Sequence, residues 1–229
     1  MKITALIVAG GRGTRMGADR NKVFLTIGGR EIIHFTVSAF EWNKNIDEIV
    51  IVTGAGDIET CEEIVRNSGF KKVACIIEGG SERQKSVYNG LKKATGDIVL
   101  IHDGARALVT DKEIDAAVED CIHFGAAAVG VKSKDTLKSA DPKGYITGTI
   151  DRENTYLIQT PQAFYTADIL SMHEMAAKEG FKATDDCMIA EHYGKRIKIS
   201  AGSYDNIKLT TPVDMIIAEE ILKGRGDIE

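Results

Sequence analysis

Glycines and cations crowd one short stretch near the start of the chain. In LIVAGGRGTRMGADRNK, residues 6–22, Gly10, Gly11, Gly13 and Gly17 are interleaved with Arg12, Arg15, Arg20 and Lys22. Glycine lets backbone N–H groups turn towards an anion without a Cβ in the way, and clustered cations neutralise several phosphate charges together. The chemistry that suits this pattern is phosphate binding. Two familiar phosphate cradles fail on spacing. A dinucleotide-binding turn needs G-x-G-x-x-G between a strand and a helix that starts at once. Here Gly11 and Gly13 supply the first two glycines, but Met16 stands where the third should be, and the next amphipathic pattern begins only near Glu31. A P-loop needs G-x-x-x-x-G-K-[ST], and no segment supplies it. What remains is a strand followed by a long, basic, glycine-rich loop, which taken alone also reads as a solvated surface loop.

The elements that must position such a loop follow from apolar periodicity. Short β-branched runs at Ile3–Ala9, Ile46–Thr53, Val73–Glu78, Asp97–Ile101 and Ala126–Val131 read as strands. They alternate with amphipathic stretches at Glu31–Trp42, Asp57–Asn67, Arg83–Ala94 and Asp111–Phe124, with Asp57 and Asp111 as N-cap candidates. That alternation predicts an α/β fold with a mainly parallel central sheet. The C-terminal end of the first strand is where open α/β sheets bind ligands. One segment breaks the rhythm. In KSKDTLKSADPKGYITGTIDR, Lys132 to Arg152, two short strand-like runs flank the turn signal Asp141-Pro142-Lys143-Gly144 and predict a β-hairpin. Its runs carry little apolar alternation, so it reads either as an arm that finds a partner or as a plain surface hairpin.

Bulk composition narrows the function classes. At 229 residues, 43% hydrophobic and 28% charged, the chain is long enough to bury one large core. A net charge of −5 argues against a general nucleic-acid or anionic-membrane surface. The start of the chain lacks a signal-peptide layout, and no stretch approaches the about 18 apolar residues of a membrane span. Cys61, Cys75, Cys121 and Cys187 lie far apart with no CxxC pair, which predicts free thiols in a reducing cytosol.

The loop residues Gly10-Gly11-x-Gly13-Thr14-Arg15-Met16-Gly17, followed by Lys22, resemble the signature of nucleotidyltransferases that activate sugars and sugar alcohols. EGGSERQKSVYNGL (78–91), HDGAR (102–106), KDTLK (134–138), IDRENTYLIQTPQAF (150–164), TDD (184–186) and GSYDNIKLTTPVD (202–214) occur in the order expected of the 2-C-methyl-D-erythritol 4-phosphate cytidylyltransferase family. The resemblance covers nearly the whole chain, and the blocks are specific as a set, although each alone is weak. It implies a Rossmann-like, nucleotide-diphospho-sugar-transferase type α/β fold in a single domain over 1–229, with a dimerisation β-arm at about 132–152. It also implies a cytoplasmic homodimer that uses CTP, a sugar-alcohol phosphate and Mg²⁺, in the making of isoprenoid precursors by the non-mevalonate route.

The reaction implied is attack of a sugar-alcohol phosphate oxygen on the α-phosphorus of CTP, with pyrophosphate leaving. Such a site works by positioning and charge stabilisation. The resemblance assigns Arg15, Lys22 and Lys208 to the triphosphate and its transition state. It assigns Ala9, Gly10, Gly11, Gly13, Gly80, Ser81, Ser86 and Asp103 to the nucleotide, with Asp103 also the candidate metal carboxylate, Mg²⁺ being held mainly through CTP phosphates. Arg106, Thr136, Arg152, Thr160, Thr184 and Asp205 fall on the acceptor side, with Gln162 and Asp185 beside them. Asp205 is placed in reach of Lys208, to orient it. Taken without the family, Asp103 reads as a cap or a partner of Arg106, Lys208 as a surface lysine, and Ser81 with Gln84 as an N-cap signal. His102 reads as structural support, and Thr210, Thr211 and Pro212 as the start of the last helix. Two positions depart from the family pattern: Asn21 and Ala107 stand where proline is usual, which puts loop rigidity in question but removes no reacting group. The competing readings are a ribitol 5-phosphate cytidylyltransferase, a noncatalytic nucleotide-binding regulator, and a dinucleotide oxidoreductase. Lys138 and Asp151-Arg152 argue against the first, the presence of Lys22, Asp103 and Lys208 against the second, and glycine spacing against the third.

Overall fold

The structure, a computed structural model, describes residues 1–11 and 21–229. The expectations for Arg12, Gly13, Arg15 and Arg20 fall outside the described residues. Strand β1 (Ile3–Ala9) shows how the core is organised. Its side chains alternate, as strand geometry requires. Ile3, Ala5, Ile7 and Ala9 join one apolar layer, with Ile33, Val37 and Phe40 of α1 (Ile32–Trp42), Cys61 and Ile64 of α2 (Ile58–Ser68), and Ile114, Ala117 and Cys121 of α4 (Asp111–Phe124). Leu6 points to the opposite layer, with Val87 and Leu91 of α3 (Arg83–Leu91), Ile169 of α5 (Thr166–Glu179) and Ala190 of α6 (Asp186–His192). A sheet covered by helices on both faces explains why β4 (Glu48–Thr53) and β6 (Ile98–Asp103) are buried at every position.

The remaining strands of the main sheet are β5 (Val73–Glu78), β7 (Ala126–Lys132), β10 (Tyr156–Tyr165) and β11 (Lys198–Ala201). Their order is β11-β7-β10-β6-β1-β4-β5. β1 pairs in parallel with both β4 and β6, whereas β10 runs antiparallel to β6 and β7. Small paired strands β2 (Thr26–Ile27) and β3 (Arg30–Glu31) precede α1. The last helix, α7 (Pro212–Arg225), packs Ala218 and Leu222 onto a third apolar cluster that includes Ala107.

The five predicted strands and four predicted helices stand within a few residues of expectation. Ile46 falls outside β4 because its N–H closes a turn onto Asn43 O after α1. Pro212 opens α7, with Thr211 and Asp214 forming a capping box. Two local expectations are corrected. Helix α4 is capped by Thr110 in a box with Glu113, and Asp111 is its first helical residue. Helix α3 follows Glu82 with no side-chain cap, so Ser81 does not cap it. Asp57 does stand at the N-cap of α2, as expected, although without a side-chain cap bond. Cys61 and Cys121 are free and buried, and burial pushes their thiols up to about 12, which keeps them protonated and unreactive.

The predicted hairpin is present as β8 (Lys138–Ala140) and β9 (Ile146–Thr149). Its turn is built by Asp141, whose carboxylate accepts from the N–H groups of Lys143 and Tyr145, both at 2.9 Å. Gly144 takes φ +86°, a conformation that glycine adopts without strain. Tyr145 and Ile146 stand 70% and 67% exposed near the tip, so the arm leaves apolar surface uncovered in the single chain.

Candidate active site

The C-terminal ends of β1 and β6 lie side by side. They are drawn together where Gly104 N–H donates to Val8 O at 2.8 Å. A Cβ at Gly104 would sit 3.1 Å from both Val8 O and the Ala9 Cβ, so glycine is what permits the approach. Asp103, the last residue of β6, therefore emerges beside the entrance to the glycine-rich loop. Among the described residues, three cations surround its nearly buried carboxylate. Lys208 Nζ lies 2.8 Å from Oδ2, Arg83 Nε lies 3.3 Å from Oδ1, and Arg106 Nε lies 3.9 Å from Oδ2. Burial opposes the charged form, but Arg83, Lys208 and Arg106 outweigh it and hold the carboxyl well below the usual range. The Lys208 side chain remains 41% exposed, so it can meet an incoming anion while staying anchored.

Each cation is itself held. Arg83 also reaches the fully buried Asp186 (2.8 Å), which in turn pairs with His173 Nε2 (3.0 Å). Arg106 donates to Asn206 O (2.6 Å), and the Asn206 amide donates to Thr160 O (3.0 Å). His102 is buried, and burial pushes its pKa down to about 4. The ring is thus neutral near pH 7. With Nε2–H donating to Arg106 O (3.2 Å), Nδ1 accepts from the Thr160 hydroxyl (3.0 Å), which accepts from the Asp103 N–H (3.1 Å). This chain fixes the backbone on both sides of Asp103, and the support role expected of His102 holds.

Lys22 opens a short 3₁₀ turn, Lys22–Phe24, and its ammonium donates to Leu209 O at 2.9 Å. Leu209 N–H in turn donates to Ala105 O at 2.9 Å. The turn after β6, the segment carrying Lys208 and the exit of the glycine-rich loop are therefore tied to one another, and Lys22, Asp103, Arg106 and Lys208 share one end of the sheet. Ala9 ends β1, Gly10 is half-buried and Gly11 is exposed. Gly80 and Ser81 follow β5 and are exposed, while the buried Ser86 hydroxyl accepts from Gly80 N–H and donates to Glu82 O, both at 3.0 Å. Ser86 thus shapes the Gly80 turn from beneath.

Other predicted residues stand apart from this cluster. Thr136 and Arg152 are exposed at the base of the arm, where Arg152 donates to Lys134 O at 3.4 Å. Thr184 is exposed before α6, and Asp185 caps that helix by accepting from Met188 N–H at 2.9 Å. Gln162 is buried; its amide donates to Asp185 and its carbonyl accepts from the Asp186 and Cys187 N–H groups. The expectation that Asp205 orients Lys208 is corrected: the carboxylate on Lys208 is Asp103. Asp205 faces α7 instead, 3.6 Å from Arg225, because the chain turns tightly there, with Asn206 N–H donating to Ser203 O. Sequence reasoning passed over Arg83, Asp186 and Asn206 as site-building groups, although all three lie inside the quoted motifs. What they contribute is buried pairing, which motif spacing does not reveal.

Among the described residues no cluster of three or more His, Cys, Asp or Glu could cage a metal ion. Asp103 is the carboxylate at this sheet end, and it is paired with Lys208, Arg83 and Arg106.

The model of the family described as 2-C-methyl-D-erythritol 4-phosphate cytidylyltransferase matches residues 3–224. A protein of that name from Clostridium botulinum (strain ATCC 19397 / Type A) is 46% identical over 224 residues, covering 97% of this chain and 98% of that one. The protein of that name from Clostridium acetobutylicum is 46% identical over 221 residues, 96% of each chain. Among solved structures, the 4-diphosphocytidyl-2C-methyl-D-erythritol synthase from Anaerococcus prevotii DSM 20548 superposes with a TM-score of 0.86 at 32% identity, covering 97% of this chain and 96% of that one. The 2-C-methyl-D-erythritol 4-phosphate cytidylyltransferase from Thermus thermophilus superposes with a TM-score of 0.78 at 28% identity, covering 95% and 98%. With the family matched from the first strand into the last helix, and its relatives aligned nearly end to end, this chain belongs to the 2-C-methyl-D-erythritol 4-phosphate cytidylyltransferase family.

Proposed function

We propose that the chain transfers a cytidylyl group from CTP to 2-C-methyl-D-erythritol 4-phosphate, giving 4-CDP-2-C-methyl-D-erythritol and pyrophosphate, a step in making isoprenoid precursors by the non-mevalonate route. The observation that carries this reading is the family match over residues 3–224. The clustering of Lys22, Asp103, Arg106 and Lys208 at one sheet end supports it. An acceptor phosphate oxygen attacks the α-phosphorus; the new O–P bond forms as the bond to the pyrophosphate oxygen breaks. Lys22 and Lys208, with Arg15 from outside the described residues, are assigned to the charge that builds on the phosphoryl oxygens. Asp103 keeps Lys208 aimed.

Ala9, Gly10, Gly11, Gly13, Gly80, Ser81 and Ser86 are assigned to the nucleotide, and Arg106, Thr136, Arg152, Thr160 and Thr184 to the acceptor. Asp205 is assigned to that side from the motif alone. Mg²⁺ bound with CTP would supply further neutralisation of phosphate charge, with Asp103 the protein carboxylate nearest to hand. The chain is read as one domain acting as a homodimer, in which the exposed arm carries Thr136 and Arg152 to the partner's site. Among the described residues no helix is long and apolar enough to cross a membrane; the cytoplasm is the compartment proposed.

Nucleotide choice tests the reading at the base. A site that donates and accepts at the cytosine edge leaves groups unpaired against uracil. With pyrophosphate release as the signal, kcat/KM for CTP is expected to exceed that for UTP by about tenfold or more, with purine triphosphates poorer still. Equal values for CTP and UTP would contradict the assignment of Gly80, Ser81 and Ser86.

A further inference from the structure

We propose that Asn21 is a positioning residue for cytidylyl transfer, its carboxamide clasping the base of the glycine-rich loop and fixing where Lys22 stands. This rests on the reading that Lys22 meets the triphosphate. The chain leaves the sheet at Ala9 and is beside it again at Asn21, whose side-chain Nδ2 donates to Ala9 O at 2.5 Å. The same nitrogen donates to Asp57 Oδ2 at 3.1 Å, and Oδ1 accepts from Val23 N–H at 3.3 Å. One buried amide thus joins the end of β1, the start of α2 and the 3₁₀ turn that begins with Lys22.

The surroundings are arranged for this contact. Asp57 gives no capping bond to its own helix, and its carboxylate turns to Asn21. Gly54 leaves the room: a Cβ there would lie 2.7 Å from Asp57 Oδ2. At 7% exposure Asn21 has little water to replace these bonds, so loss of the amide leaves the buried Ala9 O without this donor, while the half-buried Asp57 carboxylate can turn to water. Lys22 is the next residue, and its reach to Leu209 O at 2.9 Å is set from this anchored backbone. Asn21 also holds φ −58°, the value a proline ring would impose. The side-chain clasp and a ring are therefore two ways to restrain the same backbone, which separates positioning from direct contact with substrate.

The test compares Asn21→Ala and Asn21→Pro with the parent, measuring kcat and both KM values alongside thermal unfolding. Asn21→Ala is expected to lower kcat/KM for CTP about tenfold through misplacement of a reacting group, with KM for the acceptor within about twofold of the parent. Asn21→Pro is expected to regain most of that loss, because the ring fixes φ without any amide. Constants for Asn21→Ala within about twofold of the parent would overturn the proposal. So would equal impairment of the two variants, whether Tm falls or holds, since that would mark a packing role or direct substrate contact. Turnover of CTP by the parent tests the underlying reading separately. Should the parent prove inactive, amide exchange over residues 21–25 still reads the clasp, with faster exchange in Asn21→Ala expected and unchanged exchange overturning it.

Discussion

Under the proposed arm-exchanged homodimer, a dimer built from one Lys22→Ala chain and one Arg152→Ala chain is expected to recover about half the wild-type activity, while each parent homodimer is expected to be nearly dead. Removing one preorganised charge at a phosphoryl-transfer transition state costs on the order of 3 kcal/mol, about a hundredfold or more in kcat. Under the proposed roles, Lys22→Ala and Arg15→Ala are each expected to show that loss. Arg152 sits at the base of an arm that exposes Tyr145 and Ile146 to solvent, and a planar guanidinium suits a phosphate monoester. If the arm serves the partner's site in a symmetric dimer, both lesions of the mixed dimer fall in one site and the other is wholly native. Differently tagged chains, copurified and assayed with pyrophosphate release, give the answer. A mixed dimer as inactive as its parents would place Arg152 in its own subunit's site and remove the arm-exchange proposal.

Asp103→Ala is expected to abolish turnover and also to destabilise the fold, a combination not expected of the exposed site residues. Its carboxylate is the common partner of Lys208, Arg83 and Arg106. Arg83 keeps Asp186, and Lys208 can turn to water, but the largely buried Arg106 loses its nearest carboxylate and keeps only the more distant Glu113 and its bond to Asn206 O. Breaking a buried pair of this kind costs about 3 kcal/mol. The pH dependence has a definite sign. The folded carboxyl lies well below its ordinary range, so its contribution is complete above about pH 4, the unfolded value, and is lost as pH falls below that. The difference in urea midpoint between parent and variant should therefore be full at pH 7 and shrink in stronger acid. Unchanged midpoints at pH 7 would show that the three cations do not depend on Asp103.

The parallel half of the fold was legible because its strands are buried on both faces and read as unbroken β-branched runs, as in β4 and β6. Strand β10 was not. Its central residues Gln159, Thr160, Pro161 and Gln162 present no apolar alternation, and proline argues against a central strand. The register of β10 against β7 shifts between Ile158 and Gln162 to accommodate them, and the two buried glutamines find partners elsewhere in the fold. Tertiary hydrogen bonding there overrode local pattern. The residues the structure gathers at the candidate site, Lys22, Asp103, Arg106 and Lys208, could be named from sequence because they sit in ordered motifs. It was opaque where one buried group fixes another, as with Asp186 on Arg83 or Asn21 on Ala9. The position of Asn21, read from sequence as the loss of a rigid proline, proves to be a three-bond anchor.

The central claim is the choice of acceptor, and a side-by-side assay tests it most directly. Purified protein is given CTP and Mg²⁺ with either 2-C-methyl-D-erythritol 4-phosphate or ribitol 5-phosphate at equal concentration, and pyrophosphate release is followed with the CDP-alcohol product identified by mass. Clear turnover of the methylerythritol phosphate with the higher kcat/KM is expected, and a higher kcat/KM for ribitol 5-phosphate would contradict that choice of acceptor.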